Sequence, residues 1–176
     1  MGIMNKAWKV LFSLSFIFII TFVIFPGLID AIQFEFWPSK WEKSYRKGWN
    51  DMANSLIFGI MDTIGRYMGG KIVWTEKVIT ILAAVRIIFI LSTLAIVQSW
   101  FGAHSPLETD TFRMFNLVLF AFSNGFIGTQ CTIVAPTLVA KDQQETVGLF
   151  SSLFLGLGIN LGSTLAIPMA NLVPQK

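Results

Sequence analysis

The sequence predicts an all-α integral membrane protein with five transmembrane helices. Mean hydropathy is +0.66 and only 13% of the 176 residues are charged, about half the charge of a soluble domain. Residues 10–29, 87–107, 114–140 and 146–175 contain no Asp, Glu, Lys or Arg. A hydrocarbon core about 30 Å thick needs roughly 20 apolar residues per helix, so each run can cross it. Residues 52–61 are also uncharged. Continuing through Asp62 and Arg66 to Gly69-Gly70 completes a fifth span.

In chain order the spans are expected at about 8–30, 49–70, 77–101, 112–136 and 144–170, forming a single membrane domain over residues 1–176. The first follows Lys6 and Lys9, as a secretory signal would. Its apolar run is longer than the roughly 7–15 residues of a signal core and lacks a small-residue cleavage site, so the span is expected to be retained. Pro26-Gly27 marks its end. In the loop at 33–48 and just after it, Trp37, Trp41, Tyr45 and Trp49 recur every four residues. After Pro38 this spacing suits a short amphipathic helix lying in the headgroup region as an interfacial anchor. A docking site for another protein is the alternative.

The second span carries Asp62 and Arg66, which share one helix face at i and i+4. Charges inside a membrane are costly and usually face a cavity or a partner. The third span has Arg86 near its middle, and the fourth holds Ser123, Asn124, Thr129, Gln130 and Thr132. In the fifth, Gly148, Ser152, Gly156, Asn160 and Thr164 are spaced by four, and Gly158 with Gly162 makes a second small pair. Small residues let helices approach closely, so Gly148, Gly158 and Gly162 are expected to serve helix packing. An odd number of spans puts the termini on opposite sides. Lys6, Lys9, Arg66, Lys71, Lys77 and Lys141 on one side balance Lys40, Lys43, Arg46, Lys47, Arg113 and Lys176 on the other. Charge therefore does not set the orientation.

Several function classes receive no support. His104 is the single histidine, and Cys131 is the single cysteine and has no ligand-type neighbour. No phosphate-binding glycine loop, metal motif or nucleophile elbow is present. Neither an enzyme, a metal site nor a cofactor is expected, and no basic patch points to nucleic acid. What remains is the intramembrane polar set. Asp62 and Arg66 either neutralise one another and align helices, or offer donors and acceptors to a polar, uncharged solute.

The ordered fragments Phe16-Ile17-Phe18-Ile19-Ile20-Thr21 leading to Phe25-Pro26, Asp62-Thr63-Ile64-Gly65-Arg66, Arg86-Ile87-Ile88-Phe89 and Phe120-Ala121-Phe122-Ser123-Asn124-Gly125-Phe126 resemble the equilibrative nucleoside transporters. Pro136, Glu145-Thr146-Val147-Gly148, Leu157-Gly158 and Gly162 extend the resemblance over nearly the whole chain. It implies the last five of that family's eleven helices, the C-terminal half of a major-facilitator-like transporter. It further implies that Asp62 and Arg66 line a cavity and bind ribose hydroxyls, that Asn124 lines it too, and that Arg86 holds the bundle or supports gating. Phe58-Gly59 stands where the family commonly has Phe-Asn, and the proline often found after the third-span arginine is replaced around Leu91.

The chain opens with its own Met1, and the resemblance leaves the family's first six helices without a counterpart. The expectation is therefore a nucleoside-transporter-like half that does not transport alone. It would serve as a structural subunit of a larger membrane complex, with the lipid bilayer and other membrane subunits as its partners. The alternative is one half of a split transporter that moves nucleosides by alternating access with a separate six-helix half. The membrane stays open between the mitochondrial inner membrane and the plasma membrane.

Overall fold

The structure is a computed structural model and describes residues 3–100, 102, 105 and 108–171. His104 and Lys176 fall outside these. Among the described residues the chain forms helices and no strands. The helices are α1 (Ile3–Ile24), α2 (Gly27–Ala31), α3 (Lys43–Gly69), α4 (Glu76–Val85), α5 (Ile88–Val97), α6 (Asp110–Thr137) and α7 (Gln144–Ala170). Among the described residues four stretches are long and apolar enough to cross a membrane: Lys6–Ala31, Glu76–Val97, Asp110–Thr137 and Lys141–Met169. The chain is thus an all-helical integral membrane protein. The 27-residue α3 falls outside that set and carries Asn50, Asn54, Asp62 and Arg66 along its length.

Proline and burial decide where the helices break. Pro26 lacks an N–H and its ring blocks the preceding turn, so α1 stops at Ile24 and α2 restarts at Gly27. The third apolar span, expected as one helix over 77–101, is two helices joined at Arg86-Ile87. There the backbone tightens into i to i+3 bonds, with Ile87 N donating to Ala84 O at 3.2 Å and Phe89 N to Arg86 O at 3.0 Å. The break falls where a buried arginine turns inward among polar partners.

The loop after α2 also differs from expectation. No separate helix forms after Pro38: residues 39–41 are turn and bend, and helix begins at Lys43 as the start of α3. The four aromatics close into a ring instead. Centroid separations are 5.7 Å for Trp37–Trp41, 5.0 Å for Trp41–Tyr45, 6.2 Å for Tyr45–Trp49 and 6.3 Å for Trp37–Trp49. Side-chain hydrogen bonds tie down the first half of the loop. Asn50 accepts from Phe34 N at 2.9 Å and donates to Ile32 O at 2.6 Å. The Asp110 carboxylate accepts from Glu35 N and Phe36 N at 2.8 and 2.9 Å.

Two helix pairs dominate the packing: α3 lies on α6, and α7 lies on α1. The pairs meet through α1 and α6, around a core containing Leu11, Leu14, Ile17, Phe126, Ile127 and Val134, with a second cluster at Ile20, Ile24, Ile29, Leu117 and Phe120. Glycines set both close crossings. A Cβ on Gly158 would lie 2.5 Å from Ser15 O, and one on Gly162 would lie 2.7 Å from Ile19 O. Gly148 makes no such contact and has open space around it. The reason is angular. At about 100° per residue, the Gly148–Thr164 row points away from the row holding Gly158 and Gly162. Beside it, Leu149, Leu153, Leu157, Leu161 and Leu165 face outward, each about half exposed or more.

The α3–α6 crossing is tighter still. A Cβ on Gly125 would collide with Asp62 O and stand 2.8 Å from Arg66 N, and one on Gly69 would stand 2.7 Å from Phe126 O. Gly125→Ala should therefore force the helices apart and cost about 1–3 kcal/mol, the usual range for overpacking. Gly59→Ala is the control, since nothing lies within 4 Å of its added methyl. Thermal unfolding of the purified variants in detergent should show a lowered midpoint for Gly125→Ala and none for Gly59→Ala.

Candidate functional site

The crossing of α3 over α6 brings Asp62 against Asn124, and the rest of the site follows from that contact. Asn124 Nδ2 donates to Asp62 Oδ1 at 2.7 Å. Arg66 Nε donates to Asp62 Oδ2 at 2.7 Å, closing the i, i+4 ion pair. Both carboxylate oxygens of Asp62 thus accept a hydrogen bond from a named donor.

Behind Asn124 the network reaches α1 and the α4–α5 junction. Thr21 Oγ1 donates to Asn124 Oδ1 at 2.7 Å. Arg86 Nη2 donates to Thr21 Oγ1 at 2.9 Å and approaches Asn124 Oδ1 at 3.5 Å. Arg86 Nη1 donates to Phe120 O at 3.1 Å and to the Ser123 hydroxyl. The guanidinium carbon lies 5.2 Å from the Phe120 ring centre and 5.9 Å from that of Phe89. A single polar chain therefore runs from Arg66 through Asp62 and Asn124 to Thr21, Arg86 and Ser123.

The two arginines stand in opposite environments. Arg86 is 1% exposed, and its hydrogen-bond acceptors are neutral. A charge taken out of water needs such contacts to persist. The Arg66 side chain is 49% exposed, and among the described residues it bonds only through Nε. Its terminal nitrogens remain available to a hydrogen-bond acceptor. Asn124 is 2% exposed and engaged at both ends of its amide. The amide is thus engaged on one side by α3 and on the other by α1.

Along the outer face of α3 runs a groove of about 510 Å³ lined by Ser55, Leu56, Gly59, Ile60, Thr63 and Ile64. Asp62 and Arg66 follow Gly59 and Thr63 by three positions, which places them on the neighbouring row of the same helix. Farther along α6, Gln130 accepts from Trp74 N at 2.9 Å and donates to Gly69 O and Ile72 O, fixing the turn between α3 and α4. The ring of Trp37, Trp41, Tyr45 and Trp49 is separate from this network. Among the described residues no group of His, Cys, Asp and Glu is arranged to hold a metal ion.

Thr21 and Ser123 complete the network; Ser123 belongs to the polar set read from the sequence, whereas Thr21 was not singled out there as a site residue. The available signal was a hydroxyl in the uncharged run of α1 and another beside Asn124. Neither partner can be named without the fold.

Crossing helices joined by glycine contacts, with a half-open charge pair backed by buried polar groups, define a polytopic helical membrane protein. Comparison with known proteins is more specific. The model of the nucleoside transporter family matches residues 1–170. Equilibrative nucleoside transporter 1 of Rattus norvegicus is 29% identical over 177 residues, covering 98% of this chain and 38% of that protein. Equilibrative nucleoside transporter 2 of Homo sapiens is 26% identical over 168 residues, covering 93% and 36%. Equilibrative nucleotide transporter 8 of Arabidopsis thaliana is 24% identical over 152 residues, covering 85% and 36%. The chain belongs to the nucleoside transporter family. It spans little more than a third of the length of these relatives.

Replacing Arg86 with Met should destabilise the fold by about 2 kcal/mol or more, because it strips a charged donor from buried acceptors on two helices. Replacing Arg66 with Met should cost well under 1 kcal/mol, as expected of an exposed ion pair. Unfolding in denaturant, followed by tryptophan fluorescence, distinguishes the two.

Proposed function

We propose that this chain supplies one wall of a nucleoside-translocation cavity. Asp62 and Arg66 are the groups that meet the ribose hydroxyls, the carboxylate accepting and the guanidinium donating. The observation that carries this is the asymmetry of the pair. Asp62 is anchored from behind by Asn124, while Arg66 leaves its terminal nitrogens uncommitted on a half-exposed side chain. A pair that only neutralised itself would not need a three-helix support. The nucleoside transporter family match supports the choice of solute.

In this reading α3 is the second of five spans, its two charges facing the cavity and its apolar residues Leu56, Ile60 and Ile64 facing other helices. The opposite wall comes from a six-helix half, whether on the same polypeptide or a separate one. Solute crosses as the two halves rock about the site. Nothing in this reading calls for enzyme chemistry. A second reading, a structural subunit of a membrane complex, draws support from the ring of Trp37, Trp41, Tyr45 and Trp49, in which Tyr45 and Trp49 are exposed. It requires Asp62 and Arg66 to be dispensable for solute movement.

Uptake of radiolabelled uridine into liposomes holding the full assembly separates the two. Asp62→Asn keeps the shape of the side chain but removes its charge, and should lower uptake at least about tenfold, the loss expected when a charged hydrogen-bond partner is removed. Uptake unchanged by Asp62→Asn, in an assembly that transports, would favour the structural role.

A further inference from the structure

We infer that Thr21 is a positioning residue for the solute site: its hydroxyl fixes the Asn124 amide, and the amide fixes the carboxylate of Asp62. The inference rests on the reading of Asp62 and Arg66 as the ribose-binding groups.

The chemistry of the network permits one satisfied arrangement. Arg86 Nη2 donates into the Thr21 oxygen at 2.9 Å, so the hydroxyl proton must point to an acceptor elsewhere. Two are in reach, Asn124 Oδ1 at 2.7 Å and Ile17 O at 2.9 Å, and a hydroxyl has one proton to give. Ile17 O already lies in the α1 helix, where it accepts backbone hydrogen bonding, so the amide oxygen has the greater need. Guanidinium nitrogens donate only. A reversed Asn124 would therefore set its NH2 against Arg86 and Thr21, and its oxygen against Asp62 Oδ1. That puts donor on donor at Arg86 and acceptor on acceptor at Asp62, and the Thr21 oxygen could accept the turned NH2 only by giving its own proton to Ile17 O. Thr21 and Arg86 together hold the amide so that Nδ2 faces Asp62.

The consequence lies on α3. With Oδ1 held by Asn124 and Oδ2 by Arg66, the carboxylate plane is set from two sides, and its remaining lone pairs keep a fixed direction toward a solute. Binding groups held in advance by supporting hydrogen bonds lose less on engaging a ligand. Thr21 is 3% exposed and stands behind Asn124, so it influences a solute only through that amide.

Thr21→Val keeps the shape and removes both the proton and the acceptor. Binding of uridine and of 2′,3′-dideoxyuridine is compared for the wild type, Thr21→Val and Thr21→Ser, using the full-length protein purified in its native assembly. The wild type should favour uridine. Thr21→Val should weaken uridine binding about 5–30-fold, the equivalent of one or two hydrogen bonds, while hardly changing the dideoxy analogue. The ratio of the two affinities should then approach one, and Thr21→Ser should restore it. An equal loss for both ligands, or an unchanged ratio, would overturn the inference by marking Thr21 as purely structural or irrelevant. A wild type that does not distinguish the two ligands would overturn the underlying assignment of Asp62 and Arg66, which is visible before any variant is made.

Discussion

The close crossing of α3 over α6 is the constraint on which the rest of this molecule depends. In lipid there is no hydrophobic force pulling one apolar helix onto another, so close packing and interhelical hydrogen bonds must hold the bundle. Gly65, Gly69 and Gly125 bring the two backbones near enough that added methyl groups would strike main-chain atoms. Only at that separation can two side chains as short as Asp and Asn meet at 2.7 Å. A wider crossing would leave Asp62 with Arg66 alone and separate Asn124 from its task.

From that contact the polar network distributes cost and function unevenly. Arg86 and its acceptors lie inside, tying α1, α6 and the α4–α5 junction together at the level where the third span breaks. Arg66 lies at the edge, where its charge costs less and its donors stay open. The buried arginine therefore ties the interior together, while the exposed one keeps its terminal donors open at the edge. The same division separates α7, whose outward row is leucine, from α3, whose outer groove holds Ser55 and Thr63 among aliphatic side chains.

Much of this was legible in the sequence because lipid imposes simple rules. Long uncharged runs become helices, and Asp62 with Arg66 must share a face if α3 is helical. The identity of the packing row in α7 was less accessible. Two small-residue rows compete there, and only contact with Ser15 and Ile19 selects Gly158 and Gly162 over Gly148. The Gly65-x-x-x-Gly69 pair was readable in principle, but its partner Gly125 lies on another helix far along the chain. Thr21 shows the limit most clearly. A threonine in an apolar run ordinarily bonds the carbonyl four residues back, as Thr21 can with Ile17, and nothing local announces a partner 103 positions away. The turn at Arg86-Ile87 was hidden for a related reason: it contains neither proline nor glycine, and it coincides with a side chain whose hydrogen-bond partners all come from other helices.

The central claim is that Asp62 and Arg66 form the solute-facing end of a network whose other end is buried. The most direct measurement is an experimental structure of the full assembly in lipid with uridine at saturating concentration. The account predicts ribose hydroxyls within hydrogen-bond distance of the Asp62 carboxylate and the Arg66 guanidinium, with Asn124 still bonded to Asp62, Thr21 and Arg86. Uridine bound elsewhere, or Asp62 and Arg66 sealed against another protein helix with no solute between, would contradict it.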